Sequence, residues 1–287
     1  MRTTVHESEA AAAWDVARPS RRSRVAGVGM AGFRDRGTGP VALRAVPHPA
    51  VTLVLEFGDG WLVVDDTAGR HQRGSLVAGM MPGEIRTRGE NIECVEVRLS
   101  PVVARAVLGV CPAELDGSII ALDDLWGRDA TRIREQLGDA PSWEDRFALT
   151  DAVLARRCET GSPVDPEVAW AWDRIVVSRG RVRIEDLALE VEWSRKRLWS
   201  RFRSQIGLPP KRAAQLVRFN RAAHRLAAGE SAGRVASEGG YADQSHFHRE
   251  VRAFTGVTPA TLAQDPGLAV DDIAWANHGT FVQDPRP

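Results

Sequence analysis

"GYADQSHFHREVRAFTGVTP", residues 240–259, is the stretch on which the reading of the fold turns. From Asp243 onward the apolar residues Phe247, Val251 and Phe254 recur at i, i+4 and i+7, the spacing of a helix with one narrow packed side. At about 100° per residue, Ser245, Arg249 and Arg252 fall opposite Phe247, with Gln244 and His248 on its flank. Asp243 and Glu250 are the only acids in the stretch. A solvated face ordinarily mixes both signs of charge, whereas a face that meets a polyanion does not. Spacing alone fits a plain surface helix and a polyanion-binding helix equally.

The chain outside this stretch bounds the answer. Its 287 residues suffice for two domains, each with its own core. No run of 18 or more apolar residues occurs, so no membrane span is expected. The start, "MRTTVHESEAAAAWDVARPS", has acids where a signal peptide needs a basic segment and a long apolar core, and cytoplasmic residence is the expectation. Cys94, Cys111 and Cys158 are scattered and odd in number, which predicts buried structural thiols and neither a disulfide framework nor a zinc knot. The formal net charge of zero conceals an asymmetry. Residues 178–263 hold 16 Lys and Arg against 8 Asp and Glu, and the remainder carries the compensating acidic excess. A basic C-terminal block on an acidic N-terminal one predicts that only the former meets a polyanion.

From about residue 24 to residue 99 the pattern is one of short strands. "VALRAV", "AVTLVLEF", "WLVVD" and "SLVAGM" are apolar or β-branched runs broken by "PHP", "GDG" and "AGRHQRG". Such close spacing favours an antiparallel sandwich or barrel over a βαβ fold. From Pro101 the pattern turns helical through "PVVARAVLG", "GRDATRIREQL" and "SWEDRFALTDAVLARRC". Ser142 is the expected N-cap of the last, with Asp145 three residues on. In these helices Ile133, Leu137, Phe147, Val153 and Leu154 form an apolar stripe that either seals the domain's own core or meets its like in a symmetric dimer. A turn-rich linker, "ETGSPVDPE", follows.

Two short helix pairs stand out beyond it. In the first, residues 184–207, Leu187, Val191, Leu198, Phe202 and Ile206 supply packing faces, and Ser194 is placed to cap the second helix. Lys196, Ser200 and Arg203 lie outward, flanked by Arg197 and Trp199. The second pair spans 232–256, with Gly239 and Gly240 in its turn. Between them runs "PPKRAAQLVRFNRAAHRLAAG", opened by proline and closed by Gly229. About 20 residues of helix make roughly 30 Å, close to the roughly 34 Å of one DNA turn. A rod of that length would set two recognition helices in successive major grooves on one face of a duplex. A plain helical bundle is the bland reading, and the tandem spacing with the basic excess favours DNA over it.

On these residues the chain resembles the AraC/XylS-type transcriptional regulators. Residues 167–264 are similar to that family's tandem helix-turn-helix domain, through "EDLALE…WSRKRLWSRF…G", the rod "LVRFNRAAHRL" and the signature "GYADQSHFHREVRAFTGVTPATL". The resemblance implies recognition helices over about 194–206 and 243–255. It implies base and phosphate contacts at Lys196, Trp199 and Ser200 and at Gln244, Ser245 and Arg249. With the outward faces read above, the expected DNA-binding set is Ser194, Lys196, Arg197, Trp199, Ser200, Arg203, Gln244, Ser245, His248, Arg249 and Arg252. Two positions depart from the family pattern. Ser200 stands where members often carry Arg, which would pair with guanine O6 and N7. Glu192 stands where many carry Gly in the turn, at a cost on the order of 1 kcal/mol if that turn needs a positive φ.

The N-terminal block resembles the sensor region of one branch of these regulators through "VEVRLSPVVARAVLGVCPAELDGSIIALDDLWG" and "APSWEDRF". That implies a β-barrel or cupin-like fold followed by a helical subdomain. An enzymatic cupin would need His-x-His with a downstream Glu and a later His. His48 and His71 do not supply it, and His246 and His248, two apart on a helix, face apart. "GVGMAG" at 27–32 lacks a following helix and fits a closely packed strand. No catalytic residue, metal or cofactor is expected. Glu56, Asp59, Asp65 and Asp66 fit strand-end turns, Tyr241 and Phe247 fit a core, and one of Trp170 and Trp172 is expected to pack. Arg221 and Arg225 on the rod fit phosphate contact and solvation equally.

The expected fold is α+β in two domains. Residues 1–158 form an antiparallel β-barrel or cupin-like sensor and dimerisation domain with a helical subdomain. Residues 159–166 link it to an all-α tandem helix-turn-helix domain at 167–264, and 265–287 form a tail. The expected function is sequence-specific DNA-binding transcriptional regulation. The expected partner is double-stranded DNA, with a small-molecule effector, RNA polymerase and a second copy as further candidates. The alternative is a small-molecule-binding or cupin-type enzyme carrying a fused helical module.

Overall fold

The computed structural model describes residues 13–275, apart from 67, 68, 81, 82, 84 and 116. Two antiparallel sheets make the N-terminal barrel. Six strands, β1 (Trp14–Ala17), β2 (Val28–Asp35), β9 (Glu93–Leu99), β4 (Val51–Phe57), β7 (Leu76–Ala78) and β10 (Ile119–Ala121), lie side by side in that order. The second sheet has the order β3 (Val41–Ala45), β8 (Ile85–Glu90), β5 (Trp61–Asp65) and β6 (His71–Arg73). β4 and β9 are central and buried on both faces, which explains their near-continuous apolar runs. Alternation then sorts their side chains. Leu53, Leu55, Val95 and Val97 face outward, toward helices, while Val54 and Cys94 face the other sheet. In the same register Thr52 pairs with Arg98 and Val54 with Glu96, so the barrel interior receives an ion pair beside apolar neighbours.

The strand named from "GVGMAG" is β2, and its close packing has a definite cause. A Cβ on Gly32 would lie 2.4 Å from the Trp143 ring. Helices α1 (Pro101–Leu108), α2 (Leu122–Trp126), α3 (Arg128–Asp139) and α4 (Trp143–Thr160) pack outside the six-stranded sheet. Ser142 caps α4 as expected, accepting from the Asp145 amide at 3.2 Å. Of the apolar stripe, Ile133, Leu137, Phe147 and Leu154 are buried in the domain's own core, the first of the two readings, while Val153 is half-buried. Of the three cysteines only Cys94 is buried, where desolvation pushes its thiol up; Cys111 and Cys158 are half-buried. Asp65 and Asp66 are strand-end acids with local partners, Arg88 and Arg70.

The expected linker is shorter than its turn residues suggest. α4 runs to Thr160 and α5 (Pro166–Val177) begins with Asp165 as N-cap, which leaves 161–165 between them. The segment is packed, since a Cβ on Gly161 would meet the Ala106 carbonyl oxygen at 2.3 Å. Asp165 also accepts from the Arg201 Nε at 2.8 Å. The remaining helices are α6 (Ile184–Glu190), α7 (Arg195–Ile206), α8 (Pro210–Ala227), α9 (Ala232–Glu238), α10 (Gln244–Thr255), α11 (Pro259–Ala263) and α12 (Pro266–Trp275). The last of these corrects the expected tail. Residues 266–275 form a helix packed against β1, β3 and α8, and 276–287 lie outside the described residues. Among the described residues no helix is long and apolar enough to cross a membrane.

Candidate nucleic-acid interface

Each half of the C-terminal domain is a pair of helices joined by a tight turn. In the first, Leu187 and Ala188 of α6 pack with Leu198, Phe202 and Ile206 of α7, all buried; Val191 is half-buried. The turn residue Glu192 has φ 54°, the left-handed conformation that glycine adopts without strain. Ser194 then caps α7, accepting from the Arg197 amide at 3.2 Å. In the second half Val235 and Ala236 of α9 pack on Phe247, Val251 and Phe254 of α10, and Gly240 takes φ 82° in the turn. Asp243 caps α10 through the His246 amide at 2.6 Å.

The rod between them, α8, has 18 residues, about 27 Å at 1.5 Å per residue. Its Leu216, Phe219 and Ala223 are buried between the two halves, and Phe219 stacks on Phe254 with centroids 4.8 Å apart. Tyr241 and Phe247 are buried, as is Trp172, while Trp170 is half-buried.

The side chains expected to read DNA share one environment. Ser194, Lys196, Arg197, Trp199, Ser200 and Arg203 on the first half are exposed, as are Gln244, Ser245, His248, Arg249 and Arg252 on the second. Charge pairing separates these cations from six arginines of the same domain. Arg174, Arg195, Arg201, Arg218, Arg225 and Arg234 all hold carboxylates. Among the described residues Lys196, Arg197, Arg203, Arg249 and Arg252 form no ion pair. Arg197 lies over the Trp193 ring at 4.4 Å and Arg203 over Trp199 at 5.2 Å, so the first helix presents cations splayed across indoles.

The acids are withdrawn from this surface. Glu250 is buried and clamped by Arg218, Asp243 is engaged as a cap, and Glu238 is held by Arg225 and Arg234. Neither α7 nor α10 carries an acid in its first turn, whereas α6 has Glu185 and Asp186 there. The positive end of α7, capped by the neutral Ser194 hydroxyl, therefore stays available to phosphate, whereas that of α10 is met by the Asp243 carboxylate.

The rod arginines, alike in sequence, separate here. Arg225 is fixed by Glu230 and Glu238 and is structural. Arg221 is exposed and forms no ion pair among the described residues; partial burial and then the like charges of Arg179, Arg225 and Arg181 lower its pKa. Lys211 shares its exposure. No sequence signal marks these two, because only the partners of their neighbours distinguish them. Among the described residues no three His, Cys, Asp or Glu side chains gather as a metal site, and His48 is half-buried and bonded to Thr52 while His71 is exposed.

A family model described as a helix-turn-helix domain matches residues 187–276. Among curated proteins nothing matches the chain. Among solved structures, ToxT from Vibrio cholerae is similar at 13% identity over 85% of this chain and 99% of its own, with a TM-score of 0.46. The C-terminal domain of AraT, a response regulator from Geobacillus stearothermophilus, is similar at 21% identity over 36% of this chain and 88% of its own, with a TM-score of 0.34. The AraC-like transcriptional activator CuxR is similar at 11% identity over 92% of this chain and 94% of its own, with a TM-score of 0.31. At these scores the similarity bears on neither ligand nor partner.

Proposed function

We propose, for a chain whose residues 187–276 are an AraC-type helix-turn-helix domain and which is thereby a DNA-binding transcriptional regulator, that α7 and α10 enter successive major grooves on one face of the duplex. The observation that carries this reading is that, among the described residues, the cations on two exposed helix faces form no ion pair, in a domain where Arg174, Arg195, Arg201, Arg218, Arg225 and Arg234 hold carboxylates. Unpaired cations gain most from phosphate, because no internal partner has to be given up. Gln244, Ser245 and Arg249, near the start of α10, reach base edges, and Lys196, Trp199 and Ser200 do so from α7. The 27 Å rod sets their spacing. The barrel, with a cavity of about 170 Å³ between its sheets, is the effector-binding part of the same chain.

Selecting sites for the full-length chain from a random duplex pool, then titrating the recovered duplex across a salt series, tests the proposal. The three cations left for phosphate, Arg197, Arg203 and Arg252, predict a slope of log K against log salt of roughly −3. The recovered site should show two half-sites about 10 base pairs apart. A chain that binds no duplex at micromolar concentration in low salt, or recovers a single uninterrupted half-site, would overturn it.

A further inference from the structure

The chain's own last described helix closes the barrel. α12 begins beneath β3, where a Cβ on Gly267 would fall 2.0 Å from the Arg44 carbonyl oxygen, so only glycine permits this approach. Val270, Ala274 and Trp275 complete the apolar core between the sheets, alongside Phe33 and Leu62. Asp271 enters the cavity itself and contacts the buried guanidinium of Arg98 directly. Arg98 also donates to Glu96 Oε1 at 3.0 Å, and the Trp275 ring lies 4.2 Å from its guanidinium carbon. His224 of the rod reaches Asp272 Oδ1 at 2.8 Å and the second oxygen of the same Asp271 carboxylate, Oδ2, at 3.4 Å.

A carboxylate on a buried guanidinium with a flat apolar ring across its face is how a small molecule would be held. Stability alone does not account for it, since a buried ion pair is no more stabilising than apolar side chains of similar volume. With α12 withdrawn, Arg98 would keep only its bond to Glu96 Oε1 and would turn its other N–H donors to the opened cavity. The remaining charge would favour an anion and refuse a cation. Even with α12 seated, the cavity of about 170 Å³ exceeds the roughly 150 Å³ that admits a benzene-sized guest.

We propose that α12 is an internal stand-in for an anionic small molecule with an apolar body, which takes the place of Asp271 on Arg98 and of Trp275 across it. Its arrival would release the His224 tether and so reach the rod between the two recognition helices. That consequence rests on the regulator reading, whereas the binding site does not.

The test uses the full-length chain with two fluorescent probes, the anionic anilinonaphthalene sulfonate and its uncharged counterpart N-phenylnaphthylamine. Asp271→Asn and Trp275→Ala should each bind the sulfonate at least about tenfold more tightly than the unsubstituted chain. The uncharged probe should change by less than about threefold in Asp271→Asn. Adding Arg98→Gln to either variant should return the sulfonate to baseline. The proposal is overturned by unchanged sulfonate binding in both variants, by equal gains for both probes, by a gain that survives Arg98→Gln, or by loss of cooperative melting in both variants. Duplex binding by the unsubstituted chain is read separately, so failure there strikes the regulator reading and leaves the probe result standing.

Discussion

Arg218, on the rod, grips Glu250, on the second recognition helix, through Nε and Nη2, with Nε 3.1 Å from Oε1. The same guanidinium lies 4.7 Å from the centre of the Tyr241 ring, and the two side chains are 14% and 4% exposed. The pair ties α10 to α8 and removes a negative charge from the surface proposed to meet phosphate. Removing one partner strands the other's charge. Glu250→Ala should therefore destabilise the chain by about 3 kcal/mol in urea denaturation, and the double variant Arg218→Met/Glu250→Leu should recover most of that loss. A loss below about 1 kcal/mol for Glu250→Ala would show that solvent already screens the pair.

Glu192 holds φ 54° with its side chain in solvent and its amide bonded to the Leu189 carbonyl at 3.0 Å. Glycine at this position keeps the bond and loses the strain. Glu192→Gly should raise the unfolding free energy by about 1 kcal/mol and leave DNA affinity unchanged, since the residue lies off both recognition helices. Destabilisation on this substitution would mean that the glutamate has a partner worth more than the strain.

Arg249 and Arg203 are both exposed, but they sit differently on their helices. Arg249 is in the second turn of α10, while Arg203 is in the last turn of α7 and leans on Trp199. Arg249→Ala should weaken specific binding by about 1–3 kcal/mol and relax one position of the site. Arg203→Ala should cost less and act equally on all sequences. Equal losses on specific and random duplex for Arg249→Ala would reduce it to a phosphate contact.

Ser200 is exposed on α7, at the position where an arginine would grip guanine bidentately. A serine hydroxyl contacts more bases with less discrimination. The half-site under α7 should accordingly tolerate base substitutions better than the half-site under α10. Penalties above about 1 kcal/mol per substitution in both halves, measured by base scanning, would defeat this expectation.

The helix pairs were legible because their information is local. Phe247, Val251 and Phe254 repeat at helical spacing, Ser194 announces a cap, and each proves buried or capping as read. α12 was illegible for the opposite reason. In "PGLAVDDIAW" apolar residues surround the helix because it is buried on two sides, so no one-sided periodicity appears. Its two acids resemble solvated tail residues, yet Asp271 finds Arg98 across 173 positions of sequence. The apolar stripe of α3 and α4 left two readings open for a related reason, since burial within one chain and burial between two leave the same pattern. Ion pairing was equally hidden, and nothing in the rod's sequence separates Arg221 from Arg225.

The closure of the barrel by α12 has a consequence for how the protein is made. β10, the last strand, ends at Ala121, and the helix that seals the same structure ends at Trp275. At about 5–20 residues per second of synthesis, the barrel stands open on the ribosome for on the order of ten seconds while the rest of the chain emerges. During that interval the apolar rim that will receive Val270 and Trp275 faces the solvent around the nascent chain, and Arg98 awaits its carboxylate. The first domain to be translated is thus among the last to be finished, and the order of synthesis gives any small anionic guest its earliest access before the chain has made its own.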